Sequence, residues 1–363
     1  MDDWLIDDDR LSIGRKSVLP GEGFFVPDSY EEEQAEAEAA ETLQDAGVIV
    51  IADPDADGLA CTALIRQAHG EGALLPAGPH ELTEALEWTA EYADPDATVF
   101  ICDLCPDRES DIAPLDALVG TVERAVWFDH HQWPADLAAD VDAAGVERTV
   151  GDSEDVCTAD VALAELDSDF GEQWADLAAV TRDHDLWIRD DPRSDDLADL
   201  SYWSEPEEYI EAVRDHGPDL SPEFHEFLEE KRVEKEALIE KAVDRAELRD
   251  VSEWTVGVTY GRCSQNEVAE ALREQGADAA VIVKPAGSAS IRGTDSFERA
   301  HEVAQQVNGG GHPKAAGCKP DIYDDMMDYA HHWTTQGAVA KQAIVDAFRR
   351  LPEEEDEGVD TDR

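Results

Sequence analysis

Aspartate and histidine cluster directly after four apolar stretches of this chain. Carboxylates crowded into one site repel one another, and a chain retains such a cluster mainly where a cation neutralises it. For the first cluster taken alone, an aspartate-rich surface turn is the competing interpretation in so acidic a protein. The clusters are Asp53, Asp55 and Asp57; Asp103; Asp129, His130 and His131; and Asp183, His184 and Asp185.

These residue types indicate which metal the site would bind. Carboxylate and imidazole ligands without cysteine suit Mn²⁺ or Mg²⁺ better than a structural zinc ion. Two ions that share bridging carboxylates are the arrangement used for phosphoester hydrolysis, because they activate water and neutralise charge developing on phosphorus. The clusters therefore predict a divalent-metal site suited to that chemistry.

The elements around the clusters alternate between strand and helix. Apolar runs at 48–52, 98–104 and 124–132 each lead into aspartate or histidine at or near their carboxyl end, with helix-like segments between them. This order is typical of βαβ units and a parallel sheet, which places ligands at the carboxyl ends of its strands. We therefore expect an α/β fold whose parallel sheet brings the clusters together.

The same pattern suggests two domains joined by a long helix. Residues 223–249 have many Glu/Lys neighbours at helical spacing, whereas 190–222 are rich in Asp, Pro and Ser and predict an irregular segment with one short helix. The expected organisation is an acidic arm and helix over 1–44, a catalytic domain over 45–200, a connector over 201–249, a smaller α/β domain over 250–350 and a disordered acidic tail over 351–363.

The large excess of acidic residues indicates that the protein works at high salt. The chain of 363 residues has 87 Asp+Glu against 28 Lys+Arg, a formal net charge of -59. Such a charge repels itself at low salt, whereas at about 1 M salt the Debye length is only about 3 Å. We interpret the acidity as adaptation to the salty cytoplasm of an extreme halophile. From the sequence we expect neither a membrane-spanning segment nor a signal peptide, and the scattered cysteines favour a reducing cytoplasm.

The clusters together resemble the DHH phosphoesterase superfamily. The motifs that carry the resemblance are DPDADG, the strand aspartate in ICD, the DHH triplet and a downstream GGGH, and they cover about residues 45–345. Within the superfamily the chain is most similar to RecJ-type exonucleases and NrnA-type nanoRNases.

This resemblance implies roles for the clustered residues. Asp55, Asp57 and Asp103 match metal ligands, and Asp53 stands where some members have a further ligand. His130 matches the metal-binding histidine of the triplet, Asp129 a residue that orients it, and His131 a group near the metal or the phosphate. The fourth motif lacks the usual DTG; Asp183 matches its ligand best, because Trp187 then stands where an aromatic residue often follows, and Asp185 is the alternative. Two ions of Mn²⁺ or Mg²⁺ are implied.

The resemblance also assigns a substrate-binding role to the smaller domain. Gly309, Gly310 and Gly311 lack a Cβ, so their backbone can approach a phosphate closely, and His312 can hydrogen-bond to a phosphate oxygen. Arg292 matches a phosphate-binding arginine of that domain. Trp133, which follows the DHH triplet, is the best candidate for stacking on a base.

The function implied is metal-dependent hydrolysis of single-stranded nucleic acid or short oligonucleotides by a two-metal mechanism. One alternative is a small-nucleotide phosphatase of the pAp type, or a cyclic-dinucleotide phosphodiesterase, on the same scaffold. Another is an inactive DHH protein that scaffolds a replication complex, although the metal-site aspartates are all present. A homodimer is a further hypothesis for the assembly of this protein.

Overall fold

The computed structural model describes residues 28–79, 81–323 and 326–351. The described chain forms two compact units that divide between Lys231 and Arg232. The irregular arm expected before residue 28 and the acidic tail from 352 on lie outside the described residues. No described helix is both long enough and apolar enough to cross a membrane.

The first unit is built on a parallel sheet of five strands. The spatial order is β2-β1-β3-β4-β5, and every neighbouring pair is parallel. The α/β fold class expected from the sequence is therefore confirmed. The strands are β1 (Val48–Ala52), β2 (Ala73–Pro76), β3 (Thr98–Cys102), β4 (Arg124–Asp129) and β5 (Glu147–Val150).

Helices cover both faces of this sheet, which explains why its central strands are continuous apolar runs. Along β1, Val48 and Val50 pack into one core and Ile49 and Ile51 into the other. The helices are α1 (Asp28–Leu43), α2 (Ala56–His69), α3 (Leu82–Tyr92), α4 (Leu115–Thr121), α5 (Ala135–Ala144), α6 (Thr158–Glu165), α7 (Glu172–Asp185), α8 (Pro192–Trp203), α9 (Pro206–His216) and the start of α10 (Pro222–Asp244).

The segment 190–222 differs from the irregular structure expected of it. It forms α8 and α9, and each helix begins with a proline at its first position, Pro192 and Pro206. Proline is favoured there because its fixed φ suits a helix and its missing N–H would be unsatisfied in any case. Tyr209 of α9 is fully buried in the core of the first unit, so this part of the predicted connector belongs to that unit.

The second unit contains a mixed sheet of six strands in the order β10-β11-β9-β8-β7-β6. Only β7 and β8 are parallel; the other neighbours are antiparallel. Its elements are the rest of α10, β6 (Glu247–Val251), β7 (Trp254–Tyr260), α11 (Gln265–Glu274), β8 (Ala279–Val283), β9 (Ala289–Gly293), α12 (Ala300–Gln305), β10 (Gly309–Gly311), β11 (Ala315–Cys318), α13 (Met326–Thr334) and α14 (Ala338–Arg349).

Candidate metal centre

The carboxyl ends of β1, β3 and β4 lie side by side. Ala52 pairs with Cys102, and Cys102 pairs with Phe128, so the residues that follow emerge at one edge of the sheet. The strand order also reverses between β1 and β3, because β2 lies on one side of β1 and β3 on the other. Such a switch point is the usual ligand site of an open α/β sheet.

The first aspartate cluster forms the turn from β1 into α2. Asp55 is the N-cap of α2, and its Oδ1 accepts hydrogen bonds from the backbone N–H groups of Asp57 at 3.0 Å and Gly58 at 3.1 Å. A Cβ on Gly58 would lie 2.2 Å from the carbonyl oxygen of Asp53. Glycine is therefore required for α2 to begin this close to the end of β1.

Asp57 is buried and points at the start of α6. Its Oδ2 accepts a hydrogen bond from the N–H of Thr158 at 2.7 Å, and its Oδ1 accepts one from the N–H of Ala159 at 2.8 Å. The hydroxyl of Thr158 donates to Oδ1 of Asp103 at 2.8 Å. Thr158 thus links two of the expected metal ligands, a role that nothing in the sequence motifs had indicated.

Asp103 begins the turn after β3 with a φ of +59°, a conformation that aspartate tolerates better than most residues. Its N–H donates to the carbonyl of Phe128 at 3.1 Å, which extends the pairing with β4 by one residue. This places the buried Asp103 carboxylate beside the histidines that follow β4, 3.7 Å from Nε2 of His130 and 3.8 Å from Nδ1 of His131.

His130 is the point where two groups of potential ligands meet. Asp57, His130 and Asp185 form one group and Asp103, His130 and His131 the other, and the ligand atoms of each group lie within 4.8 Å of one another. Nε2 of His130 is 3.2 Å from Oδ2 of Asp185. Both atoms are buried and neither makes a hydrogen bond to any described residue.

The two candidates for the fourth motif have different surroundings. The carboxylate of Asp183 accepts hydrogen bonds from the N–H groups of Asp190 at 2.9 Å and Asp191 at 3.1 Å. It therefore holds the loop between α7 and α8. Asp185, the last residue of α7, is the one that lies beside His130.

Asp129 is fully buried and organises the DHH segment. Its Oδ1 accepts hydrogen bonds from the N–H of His130 at 2.8 Å and from Nδ1 of His131 at 2.7 Å. Its Oδ2 accepts one from the indole N–H of Trp133 at 2.6 Å. Trp133 also packs edge-on against Trp127, so its indole is held by the protein and serves to position Asp129.

The crowding of carboxylates shifts the pKa values of the clustered residues. Burial, followed by repulsion from Asp55, raises the pKa of Asp57 to about 6, and burial with repulsion from Asp57 raises the pKa of Asp185 to about 8. Burial and the negative charge of Asp57 also raise the pKa of Asp103 well above its ordinary value. Burial and the neighbouring His131 lower the pKa of His130, which favours the neutral imidazole that ligates metals.

The pKa of His131 is shifted in the opposite direction from that of His130. Burial lowers its pKa, but the hydrogen bond to Asp129 and the surrounding carboxylates outweigh burial and raise the pKa to about 9. A protonated His131 keeps its Nδ1–H on Asp129. Its half-exposed ring can then present Nε2–H to an anion.

The donor set fits a hard divalent cation. The carboxylates of Asp57, Asp103 and Asp185 and the orphaned nitrogen of His130 supply the oxygen and imidazole ligands that suit Mn²⁺ or Mg²⁺. Asp53 is half-buried and Asp55 exposed, and neither belongs to the two groups found among the described residues. Positive charge at this position would relieve the mutual repulsion of these carboxylates, of which Asp57 and Asp103 are buried and Asp185 is half-buried.

The residues expected to bind substrate lie together in the second unit. Arg292 is on β9, which pairs with β11, and the three glycines form β10, which pairs with the other side of β11. Within this arrangement Ala315 faces Arg292 and Ala316 faces Gly311. The exposed His312 begins the tight turn that joins β10 to β11, where its N–H donates to the carbonyl of Ala315 at 2.7 Å.

Arg292 is held without a carboxylate partner among the described residues. Its Nε donates to the side-chain oxygen of Asn266 at 2.8 Å, and its Nη1 donates to backbone carbonyls. Burial, together with the nearby Arg273, lowers its pKa, because neither favours a charged guanidinium. Gly310 has open space where a Cβ would stand, whereas a Cβ on Gly309 would lie 2.1 Å from the carbonyl oxygen of Gly317.

The sequence matches no protein-family model and no curated protein, but several solved structures resemble it. A RecJ exonuclease bound to manganese is 18% identical, with a TM-score of 0.55, and the match covers 88% of this chain and 94% of that one. RecJ from Thermus thermophilus, also in complex with Mn²⁺, has the same identity and TM-score, and there the match spans 55% of the longer chain.

A third structure is the DHH domain of a protein assigned to a family of ribosomal proteins. It is 13% identical with a TM-score of 0.60, over 97% of this chain and 95% of that one. At such identities a likeness establishes the fold. The chain therefore has the fold of RecJ and other DHH-domain proteins, with a parallel five-stranded sheet in one unit and a mixed six-stranded sheet in the other.

Proposed function

We propose that this protein is a phosphoesterase that depends on Mn²⁺ or Mg²⁺ and hydrolyses phosphodiester bonds in single-stranded nucleic acid or short oligonucleotides. The observation that carries the proposal is the convergence of Asp57, Asp103 and Asp185 on His130, whose buried Nε2 has no hydrogen-bond partner among the described residues. The fold shared with RecJ, an exonuclease solved with manganese, supports the same conclusion.

In this proposal Asp57, Asp103, His130 and Asp185 hold the metal, and Asp53 and Asp55 contribute to a second ion. Divalent ions supply Lewis acidity toward a phosphoryl group and offset the charge that develops there. Asp129 fixes the ring of His131 through Nδ1. Nε2–H of a protonated His131 can then hydrogen-bond to a phosphate oxygen.

The second unit supports a nucleic-acid substrate, because it carries groups suited to binding a phosphate. Arg292 has a guanidinium without a carboxylate partner in the described chain, and it lies on β9, which β11 separates from the glycine strand β10. A guanidinium and exposed backbone N–H groups together suit phosphate oxygens. We infer that Arg292, Gly309, Gly310, Gly311 and His312 bind a phosphate of the substrate.

The test is hydrolysis in about 1 M KCl with Mn²⁺, because surface charge is screened there. End-labelled oligonucleotides of two, five and thirty nucleotides, as DNA and as RNA, would be compared with pAp and a cyclic dinucleotide. We expect release of mononucleotides that EDTA stops. The length profile distinguishes action on short oligonucleotides from action on long strands.

Other outcomes would change the assignment. Hydrolysis of pAp or a cyclic dinucleotide alone would identify a small-nucleotide enzyme on the same scaffold. Absence of hydrolysis with every substrate, in protein shown to be folded and to bind Mn²⁺, would contradict catalysis and favour a scaffolding role. Asp185→Asn is the matched negative control, because it removes one charge from the centre and keeps the size of the side chain.

A further inference from the structure

A pocket of about 470 Å³ lies within the second unit, at the carboxyl ends of the parallel strands β7 and β8. Its walls come from the last part of α10, the residues that follow β7 and β8, and α13. Arg292, the glycine strand and His312 are not among its lining residues. The volume falls in the range of about 300–1,000 Å³ typical of small-ligand sites.

Three cations line this pocket: Lys241 and Arg245 on and just after α10, and Arg262 just after β7. None of them is within ion-pair distance of a carboxylate in the described part of the chain. The single acidic residue of the lining is Glu234. The pocket therefore has an excess of positive charge in a protein whose net charge is -59.

Other cations in the same unit, unlike these three, have carboxylate partners. Lys235, also on α10, pairs with Glu267 at 2.6 Å, and Arg249 pairs with Glu247 at 2.6 Å. With 87 acidic residues in the chain against 28 basic ones, partners for cations are abundant. Leaving Lys241 and Arg245 unpaired at i and i+4, where like charges repel, calls for a reason.

The helix dipole is one reason, but it explains only part of the cluster. Lys241 is in the last turn of α10 and Arg245 follows that helix directly, where the helix dipole favours cations. Arg262 belongs to a different segment, after β7, and has no such dipole beneath it. A shared anionic ligand accounts for all three cations at once.

Aromatic side chains complete the lining. Trp333 on α13 is half-buried, and its indole N–H donates to the carbonyl of Pro285 at 2.9 Å, which fixes the ring at the pocket wall. Tyr260 lines the same pocket and is buried. Cationic groups beside an aromatic plane are the combination that binds a phosphate together with a base.

We propose that this pocket is a second phosphate-binding site, which takes a nucleotide phosphate on Lys241, Arg245 and Arg262 and its base against Trp333. The phosphate could come from a free nucleotide or from a nucleic-acid strand. The inference goes beyond the proposed hydrolysis and does not require it, because the pocket contains none of the residues of the metal centre. In molar salt, contacts at hydrogen-bond range are the ones that survive screening.

The test measures binding in EDTA and about 1 M KCl, where the proposed hydrolysis cannot proceed. Calorimetry with AMP and with pyrophosphate reports free-ligand binding, and fluorescence anisotropy of a labelled five-nucleotide strand reports strand binding. The double variant Arg245→Gln/Arg262→Gln should weaken whichever ligand the pocket takes by tenfold or more. The variant Arg245→Gln/Arg262→Lys, which keeps the charge at position 262, should recover part of the affinity that the double glutamine variant loses.

Arg249→Gln is the matched control, because it removes one positive charge from the same unit outside the pocket lining and should change each affinity less than twofold. A loss confined to AMP and pyrophosphate identifies a free nucleotide as the ligand. A loss confined to the strand, with a smaller salt dependence of binding, identifies nucleic acid. If the double variant, folded by circular dichroism, binds all three probes as the unaltered protein does, the proposal is wrong.

Discussion

Nε2 of His130 lies 3.2 Å from Oδ2 of Asp185, and neither atom has a hydrogen-bond partner in the described chain. Two buried polar atoms left in this way are unfavourable unless a further group binds them. Asp183 is two residues away on the same helix, but its carboxylate accepts two backbone hydrogen bonds. We therefore expect Asp183 to have a structural role and Asp185 to have the metal-binding role proposed above.

We predict opposite effects for the two substitutions. Asp185→Asn should reduce kcat/KM by about 100-fold or more and leave the melting temperature in EDTA unchanged or higher, because it removes a repelling charge. Asp183→Ala should lower the free energy of unfolding by about 1–3 kcal/mol and change kcat/KM little in the folded fraction. Thermal melts and initial rates check both. A catalytic loss confined to Asp183→Ala would reverse the assignment.

In the absence of metal, the stability of the fold should depend on pH through Asp57 and Asp185, and bound metal should reduce this dependence. Asp57 and Asp185 have pKa values raised from 3.8 to about 6 and about 8. Their protonated forms are favoured by folding, so their contribution to stability is complete below about pH 4 and is lost as the pH rises to about 8. In EDTA the melting temperature should therefore fall relative to that in Mn²⁺ as the pH increases.

The measurement is the difference between melting temperatures in Mn²⁺ and in EDTA, which cancels the titration of the other carboxylates. We expect the difference to grow by about 5 °C or more between pH 5 and pH 8. Asp185→Asn, which lacks the group with the higher pKa, should show a smaller increase. A difference that stays constant with pH would contradict the assignment of the metal to this cluster.

Thr158 should control metal affinity without touching the metal. Its hydroxyl donates to Asp103 and its N–H donates to Asp57. Thr158→Val keeps the shape and the N–H but removes the hydroxyl, so the Asp103 carboxylate loses its orientation. We expect an affinity for Mn²⁺ that is weaker by about 10- to 100-fold, measured by calorimetry. Thr158→Ser, which keeps the hydroxyl, should retain most of the affinity; equal affinity in the valine variant would refute this role.

The sequence predicted the strands that lead to the candidate centre well and the contacts that support it poorly. The strands β1, β3 and β4, which lead into the Asp and His clusters, were predicted within a few residues, because fully buried parallel strands are continuous apolar runs. Thr158 was missed because its partners Asp57 and Asp103 are distant in the sequence and their meeting depends on where α6 packs. Similarly, the irregular segment expected over 190–222 is helical, because Pro192 and Pro206 begin helices there.

Two roles of Trp133, supporting Asp129 and stacking on a base, predict different results for its substitution. Its indole N–H donates to the buried carboxylate of Asp129 at 2.6 Å, so Trp133→Phe should destabilise the fold by about 1–3 kcal/mol and disturb His131. A tryptophan that stacked on a base would instead raise KM and leave stability unchanged. Denaturant unfolding and the KM for a five-nucleotide substrate distinguish the two, and an unchanged unfolding midpoint would contradict the structural role.

Glycines 309 and 310 should respond differently to alanine, although they are adjacent in β10. A methyl group on Gly309 would meet the carbonyl oxygen of Gly317 at 2.1 Å, whereas at Gly310 it would meet nothing within 4 Å. Gly309→Ala should therefore distort the hairpin and lower the melting temperature. Gly310→Ala should fold normally but raise KM for an oligonucleotide about tenfold or more, because the methyl group occupies the space through which a phosphate approaches the backbone. Normal KM in folded Gly310→Ala protein would remove the glycine strand from the substrate site and leave Arg292 and His312 as the phosphate contacts proposed there.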